Sequence, residues 1–171
     1  MKNFFLNSSE SKNFPLKKKI LGLCVTEGRY SIADLSRELN TSIPTTTKLV
    51  EELIEEGFLE DLGKLDTNGG RRPNIYGLKA SAGYFIGTDV RRHHVSIAIA
   101  DFRGDIVDYI DSIPFKVESS ADSFRNLCSI IKDNIRKFGI KEEEVLAYGL
   151  NLSGRVNNET GYCFTYFIGE D

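Results

Sequence analysis

The sequence predicts a winged helix-turn-helix of α+β type at residues 15–80, followed at 81–171 by the first part of an α/β domain with a mixed sheet. Apolar residues recur at helical spacing up to about residue 57 and alternate at strand spacing after about residue 80. Between these parts, the glycine-rich stretch NGGRRP separates two short strand-like segments. Residues 1–14 are expected to form a flexible tail.

The composition is that of a globular protein, with 171 residues, 40% hydrophobic and 27% charged, and a formal net charge of −3. This charge excludes a strongly basic coat, so any DNA contact depends on where a few cations lie. The three cysteines are far apart, which argues against a disulfide framework and a zinc site. No apolar run has the length of a membrane span, and a cytoplasmic location is expected.

Helical spacing predicts a first helix from Pro15 to Glu27. Its solvated side is expected to carry three consecutive lysines, Lys17, Lys18 and Lys19. Its buried face follows the i, i+4, i+7, i+8 series and carries Leu16, Ile20, Leu23 and Cys24.

Two further helices are predicted by their caps. Ser31, with Asp34 three residues later, opens a short helix that ends near Asn40. In TSIPTTTKLVEELIEEGFL, Thr41 or Ser42 caps a third helix and Gly57 stops it. The segments FLEDLGKL and NIYGLKA then form the two strands of a wing whose tip is TNGGRR.

The second part begins as an antiparallel meander of three strands, YFIGTDV, HVSIAIADF and DIVDYIDSIPF, with FRGD as a turn. An amphipathic helix marked by Phe124, Leu127, Cys128, Ile131 and Ile135 follows, and Gly139 ends it. The segment VLAYGLNLSG is predicted to be a buried strand parallel to the first one, because a helical crossover is right-handed. The last run, YCFTYFIGED, lacks a partner helix, so we expect the chain to be the N-terminal piece of a longer protein.

The third helix carries the first candidate DNA contacts. Its first turns would face the major groove, whereas the four glutamates of its C-terminal half must point away from phosphates. An ordinary helix start is the alternative, since Ser, Thr and Pro favour such positions in any protein. The candidate residues are Ser42, Thr45, Thr46, Thr47 and Lys48.

The wing tip carries the second set, Gly70, Arg71 and Arg72. Glycine lets the loop flatten, and arginine suits phosphates and a narrow minor groove. The alternative is a solvated charge pair on a hairpin. The stretch RRHH at 91–94 is interpreted as a polar turn, because it lacks the ligands of a metal site.

The order and spacing of IPTTTKLVEELIEEGFL, GGRRP, GYFIGTDV and GLNLSGRVNNETG resemble the ROK family of sugar-responsive repressors and sugar kinases. The resemblance covers about residues 16–171. It implies a winged helix ahead of an actin-like, ribonuclease H-like sugar-binding domain. It further implies double-stranded operator DNA and a sugar or sugar phosphate as partners, and a homodimer or higher homo-oligomer.

The family's phosphate loop, D-x-G-G-T, is altered here. Asp89 is kept, but Arg91, Arg92 and His93 replace the two glycines and the threonine, and their side chains would obstruct ATP phosphates. Ser153 and Gly154 stand where the family has P-G in a sugar-side loop, and they are the candidate sugar contacts. We expect no cofactor in this chain. The family's catalytic Asp and its zinc-binding Cys-rich motif would lie beyond Asp171.

These observations favour a transcriptional regulator, a repressor of carbohydrate uptake or metabolism genes, that is not an enzyme. An ATP-dependent sugar kinase with an added N-terminal domain is the alternative from another class. A third possibility is a DNA-binding scaffold whose effector site has decayed.

Overall fold

The computed structural model describes residues 13–64, 73–118, 120–152, 155–157, 159–160 and 163–164. It divides into two compact units. One contains the described residues up to Gly83 together with Phe102–Gly104, and the other contains Tyr84–Asp101 and the described residues from Asp105 onward. No helix among the described residues is long and apolar enough to cross a membrane.

Three helices form most of the first unit: α1 at Phe14–Glu27, α2 at Ile32–Leu39 and α3 at Ile43–Glu55. The predicted caps are confirmed. The Ser31 hydroxyl accepts the Asp34 amide at the start of α2 at 3.2 Å, and Asn40 ends that helix in the left-handed conformation. The hydroxyl of Ser42 accepts the amide of Thr45 at the start of α3.

A three-stranded sheet completes this unit, with β1 at Arg29–Ser31, β2 at Leu59–Lys64 and β3 at Asn74–Leu78. The order is β1-β3-β2, and both pairings are antiparallel. Strands β2 and β3 confirm the predicted wing hairpin, whereas β1 was not predicted. Gly77 of β3 is required by the close approach of its neighbours, since a Cβ there would lie 2.9 Å from the Gly28 carbonyl oxygen.

The core of the first unit lies between the helices and this sheet. It contains Ile20, Leu35, Leu49, Val50, Leu53, Phe58 and Leu59, all buried. The predicted face of α1 is partly confirmed, because Ile20 and Cys24 are buried but Leu16 and Leu23 are only partly so. Burial raises the pKa of the Cys24 thiol to about 11, so this thiol is protonated at neutral pH.

Lys17 contradicts the prediction of a solvated lysine face, because it is only 7% exposed. Its ammonium lies 2.8 Å from a carboxylate oxygen of Glu52 and 2.7 Å from one of Glu56. The two glutamates are one turn apart on α3 and at its C-terminal end, so Lys17 ties α1 to α3. A charge buried in this way needs such partners.

The second unit is built on a four-stranded mixed sheet of order β6-β5-β4-β7. The strands are β4 at Tyr84–Val90, β5 at His94–Asp101, β6 at Ile106–Pro114 and β7 at Val145–Leu152. Strands β4, β5 and β6 form the predicted antiparallel meander, and β7 is parallel to β4 as predicted. Short 3-10 turns at Ala80–Ala82 and Glu142–Glu144 and a β8–β9 pair, Arg155–Val156 with Cys163–Phe164, complete the described elements.

Helix α4, Ala121–Phe138, connects β6 to β7 and ends at Gly139 in the left-handed conformation, as predicted. Leu127 and Ile135 are buried against the sheet, but Phe124 is 62% exposed. The prediction that β7 is buried is wrong, because among its residues only Val145 is buried. Strand β7 is the edge strand of the described sheet, and no other described element buries most of the side chains on its two faces.

Candidate nucleic-acid interface

The turn between α2 and α3 sets the position of the predicted DNA-reading helix. The Ser36 hydroxyl, on α2, donates to the carbonyl of Thr41 at 2.5 Å. The Thr41 hydroxyl lies 2.9 Å from that of Thr46, and the Thr46 hydroxyl donates to the Ser42 carbonyl at 3.1 Å. Since Thr46 has one hydroxyl proton, Thr41 is the donor to Thr46. These bonds link α2, the turn and the second turn of α3.

Thr46 is fully buried, with 0% of its surface exposed. The predicted base contact of Thr46 is therefore wrong, because an interior side chain cannot reach DNA. The sequence contained the signal for this. Leu49, Val50 and Leu53 follow Thr46 at i+3, i+4 and i+7, which is the spacing of one buried helix face.

The other predicted residues of α3 lie on its outer side. Ser42, Thr45 and Lys48 are exposed, and Thr47 is half-buried. The hydroxyls of Ser42 and Thr45 lie 2.8 Å apart, and the Thr47 hydroxyl donates to the Ile43 carbonyl at 2.9 Å. The start of α3 thus presents hydroxyl groups and one ammonium group on a single surface.

Two apolar residues of this surface were not predicted as site residues. Ile43 and Pro44, the first two residues of α3, are both exposed. Sequence reasoning treated Pro44 as a helix-start signal and did not place Ile43. The spacing did not indicate that Ile43 is exposed, because this residue lies seven positions before the buried Val50 and shares its helical face.

The glutamates in the C-terminal half of α3 lie in two different environments. Glu52 and Glu56 hold Lys17, while Glu51 and Glu55 are exposed. Hydrogen bonds and the charge of the two glutamates outweigh the burial that disfavours the Lys17 ammonium, and they raise its pKa above the usual value. The charged clamp is therefore fully formed at neutral pH.

A groove of about 780 Å³ lies beside the start of α3. The wing hairpin forms one side, where Asp61 accepts from the amide of Gly63 at 2.8 Å and from the side chain of Asn74 at 3.0 Å. These bonds hold a bulge in β2. The groove is lined by Ser31, Ile32, Ala33, Ile43, Lys64, Pro73, Asn74 and Tyr76.

The predicted wing-tip contacts, Gly70, Arg71 and Arg72, lie outside the described residues. In the sequence they fall between Lys64, the last residue of β2, and Asn74, the first residue of β3. The candidate sugar contacts Ser153 and Gly154 also lie outside the described residues, directly after β7 in the chain.

The residues at the altered phosphate loop do not fit ATP. One carboxylate oxygen of Asp89 accepts from Arg91 Nε at 2.8 Å, and the other accepts from Asn151 Nδ2 at 2.8 Å. The Arg91 amide donates to the His94 carbonyl, so it closes the hairpin and is not free for a phosphate. In the described part of the chain, no group of three or more metal-ligating side chains is found.

The fold and the exposed start of α3 define a winged helix-turn-helix. The winged helix-turn-helix DNA-binding family matches residues 15–60 of the chain. This match contains α1, α2 and α3 and ends in β2.

The curated relatives are named as xylose repressors. A "Putative xylose repressor" of Caldicellulosiruptor sp. (strain Rt8B.4) is 25% identical over 146 residues, covering 85% of this chain and 36% of the relative. The "Xylose repressor" of Bacillus subtilis (strain 168) is 29% identical over 150 residues, covering 87% of this chain and 38% of the relative. The chain therefore spans little more than a third of the length of these relatives.

A crystal structure described as a "ROK family transcriptional regulator, homolog of E.coli MLC protein" has the same fold, with a TM-score of 0.60 and 20% identity. The likeness covers 85% of this chain and 37% of that one. Together with the xylose repressors, it confirms the resemblance to the ROK regulators. The winged helix-turn-helix followed by a mixed sheet is the architecture that the resemblance implied.

Replacing Thr46 by valine is expected to lower the free energy of unfolding by about 1–3 kcal/mol. Valine keeps the shape but leaves the Thr41 hydroxyl without its acceptor and removes the bond to Ser42. Urea-induced unfolding measures the effect. The control is Thr45→Val at the exposed neighbouring position, where the change should stay within about 0.5 kcal/mol. Equal effects of the two substitutions would contradict the structural role of Thr46.

Proposed function

We propose that the protein is a sequence-specific DNA-binding transcriptional regulator, a repressor of carbohydrate uptake or metabolism genes that a sugar or sugar phosphate releases from its operator. The observation that carries the proposal is the exposed start of α3, where Ser42, Thr45 and Lys48 share one surface of a winged helix-turn-helix. The protein would act in the cytoplasm as a homodimer or higher homo-oligomer. The proposal assigns no cofactor to this chain.

The start of α3 would enter the major groove. Hydroxyl groups there donate to or accept from base edges, and the Lys48 ammonium suits guanine acceptors or a phosphate. The exposed Glu51 and Glu55 lie farther along the helix, where their charges are kept away from the backbone phosphates. The wing arginines, Arg71 and Arg72, would contact phosphates or the minor groove beside the helix.

Release by an effector would follow from linkage between two sites. A sugar that binds one arrangement of a dimer more tightly shifts the population toward it, and DNA binding weakens by the same coupling free energy. We propose that Ser153 and Gly154 contact this sugar. Xylose is the first effector to test, because four of the relatives carry the name xylose repressor and a fifth is a putative one.

We expect the full chain to select duplexes that share one motif from a random DNA library, and we expect xylose or another sugar to elute them. Sequencing the retained DNA gives the operator, and a titration of pentoses and hexoses gives the effector. Selection without any sugar response would favour the scaffold with a decayed effector site. Sugar phosphorylation that depends on ATP would instead favour the kinase. It would contradict the expectation from Asp89, whose carboxylate oxygens are bound by Arg91 and Asn151.

A further inference from the structure

The aliphatic side chains of α3 divide into two groups. Leu49, Val50 and Leu53 are buried and Ile54 is partly buried, whereas Ile43 is 49% exposed. A single exposed isoleucine is common on protein surfaces and needs no function. The neighbours of Ile43 make this one different.

Thr47 lies one turn after Ile43, and its hydroxyl is bound to the Ile43 carbonyl at 2.9 Å. The hydroxyl proton is used in this bond, so the hydroxyl can only accept from another group, and the apolar part of this half-buried side chain is its methyl. Residues at i and i+4 are neighbours on a helix surface. Together with the exposed ring of Pro44, they make an apolar strip, defined as Ile43, Pro44 and Thr47.

This apolar strip is flanked by polar groups that match the major groove. Thr45 and Lys48 are exposed residues of the same two helical turns, and they bring a hydroxyl and an ammonium group. In the major groove, the apolar feature is the C5-methyl group of thymine, and it lies beside the acceptors of neighbouring bases. In a helix-turn-helix, the N-terminal residues of the second helix are those that contact base edges.

We infer that Ile43, with the methyl group of Thr47, is a specificity-determining residue that contacts thymine C5-methyl groups. This inference rests on the proposed function, because it requires α3 to enter the major groove. It adds a contact that distinguishes thymine from cytosine and from uracil. The hydroxyl and ammonium groups of the same helix surface do not make this distinction through the methyl group.

The test replaces single thymines of a selected duplex with deoxyuridine, which removes only the methyl group. The full chain is expected to bind about fourfold more weakly at one or two positions per half-site, which corresponds to ~0.8 kcal/mol per methyl-sized group removed from water. The variant Ile43→Ala is expected to bind the thymine duplex more weakly and to lose most of its sensitivity to deoxyuridine at those positions. Ile43→Val, one methyl shorter, should give an intermediate sensitivity.

Val25→Ala is the matched control, because Val25 is an aliphatic residue of α1 that is 65% exposed. It should keep the full deoxyuridine effect. If Ile43→Ala keeps that effect as well, or if the unchanged chain shows none, the inference is overturned while the DNA-binding function stands. If the chain selects no duplex at all, both fail. Unfolding curves of the Ile43 variants should match the unchanged chain, since the side chain is not in the core.

Discussion

Replacing both Arg71 and Arg72 by alanine is expected to weaken binding to every duplex and to reduce the slope of log K against log salt by about 0.9 per lost contact, or roughly two for the pair in each wing. Each arginine that neutralises a phosphate releases about one counterion. The loss of the pair therefore lowers both the affinity and the salt slope. If one arginine lies in the minor groove, a preference for A·T-rich flanks should also disappear, because a narrow groove concentrates negative potential. Binding titrations at several salt concentrations measure the slope.

The wing-tip change should not alter folding, because charges on a hairpin tip contribute little to a core. The control is Lys18→Ala, which removes one exposed cation from α1. It should leave the salt slope unchanged, whereas the loss of one phosphate contact would reduce it by about 0.9. An unchanged affinity and slope in a folded double variant would show that the wing is a plain hairpin.

Replacing Lys17 by methionine is expected to lower the free energy of unfolding by about 1–3 kcal/mol. Methionine keeps the length of the side chain but leaves Glu52 and Glu56 facing each other without a cation. This loss of stability is smaller than the loss expected when a fully buried ion pair is broken, because both glutamates keep part of their solvent contact. DNA affinity should fall as well, since the clamp holds the C-terminal half of α3 against α1.

Lys18→Met is the matched control, because Lys18 is the exposed neighbour of Lys17 on the same helix. It should leave stability within about 0.5 kcal/mol of the unchanged chain.

The stabilisation by Lys17 should also depend on pH. Because its pKa is raised on folding, the contribution of Lys17 to the free energy of unfolding is complete below the usual pKa of 10.5 and is lost as the pH rises through the folded-state pKa. As the pH rises from neutral, the stability difference between the unchanged chain and Lys17→Met should therefore persist to about pH 10.5 and shrink above it. A difference that disappears at neutral pH would contradict the clamp.

The sequence predicted those features that depend on local chemistry. Ser31 and Ser42 cap helices because their hydroxyls accept amides three residues on, and Gly139 ends α4 in a conformation that glycine readily adopts. The parallel pairing of β7 with β4 followed from the handedness of a helical crossover. These rules act over a few residues or on chain topology, so one sequence is enough to apply them.

Features that depend on distant partners were not predicted. Strand β1 has three residues and exists because β3 pairs with it, while neither its length nor its pattern marks it. Lys17 looks like its exposed neighbours, and only the fold brings Glu52 and Glu56 to it. Most side chains of β7 are exposed because no described element covers the faces of this strand, which its apolar sequence does not reveal.

The candidate site shows the same division. The sequence placed the candidate DNA-facing surface at the start of α3, but it counted three successive threonines as equivalent. Helical geometry separates them, with Thr45 outside, Thr46 in the core and the Thr47 hydroxyl bound to the backbone. The one-turn spacing from Thr46 to Val50 was the available signal.

We propose that the outer side of α3 reads DNA sequence. The most direct test compares the Kd for a selected duplex with the Kd for a scrambled duplex of the same composition, at one fixed salt concentration. We expect a preference of at least about 10³ for the unchanged chain. The double variant Thr45→Ala, Lys48→Ala should lower this preference by about tenfold or more, and Glu55→Gln should leave it intact. A preference that is near one in the unchanged chain, or that the double variant retains in full, would contradict the claim.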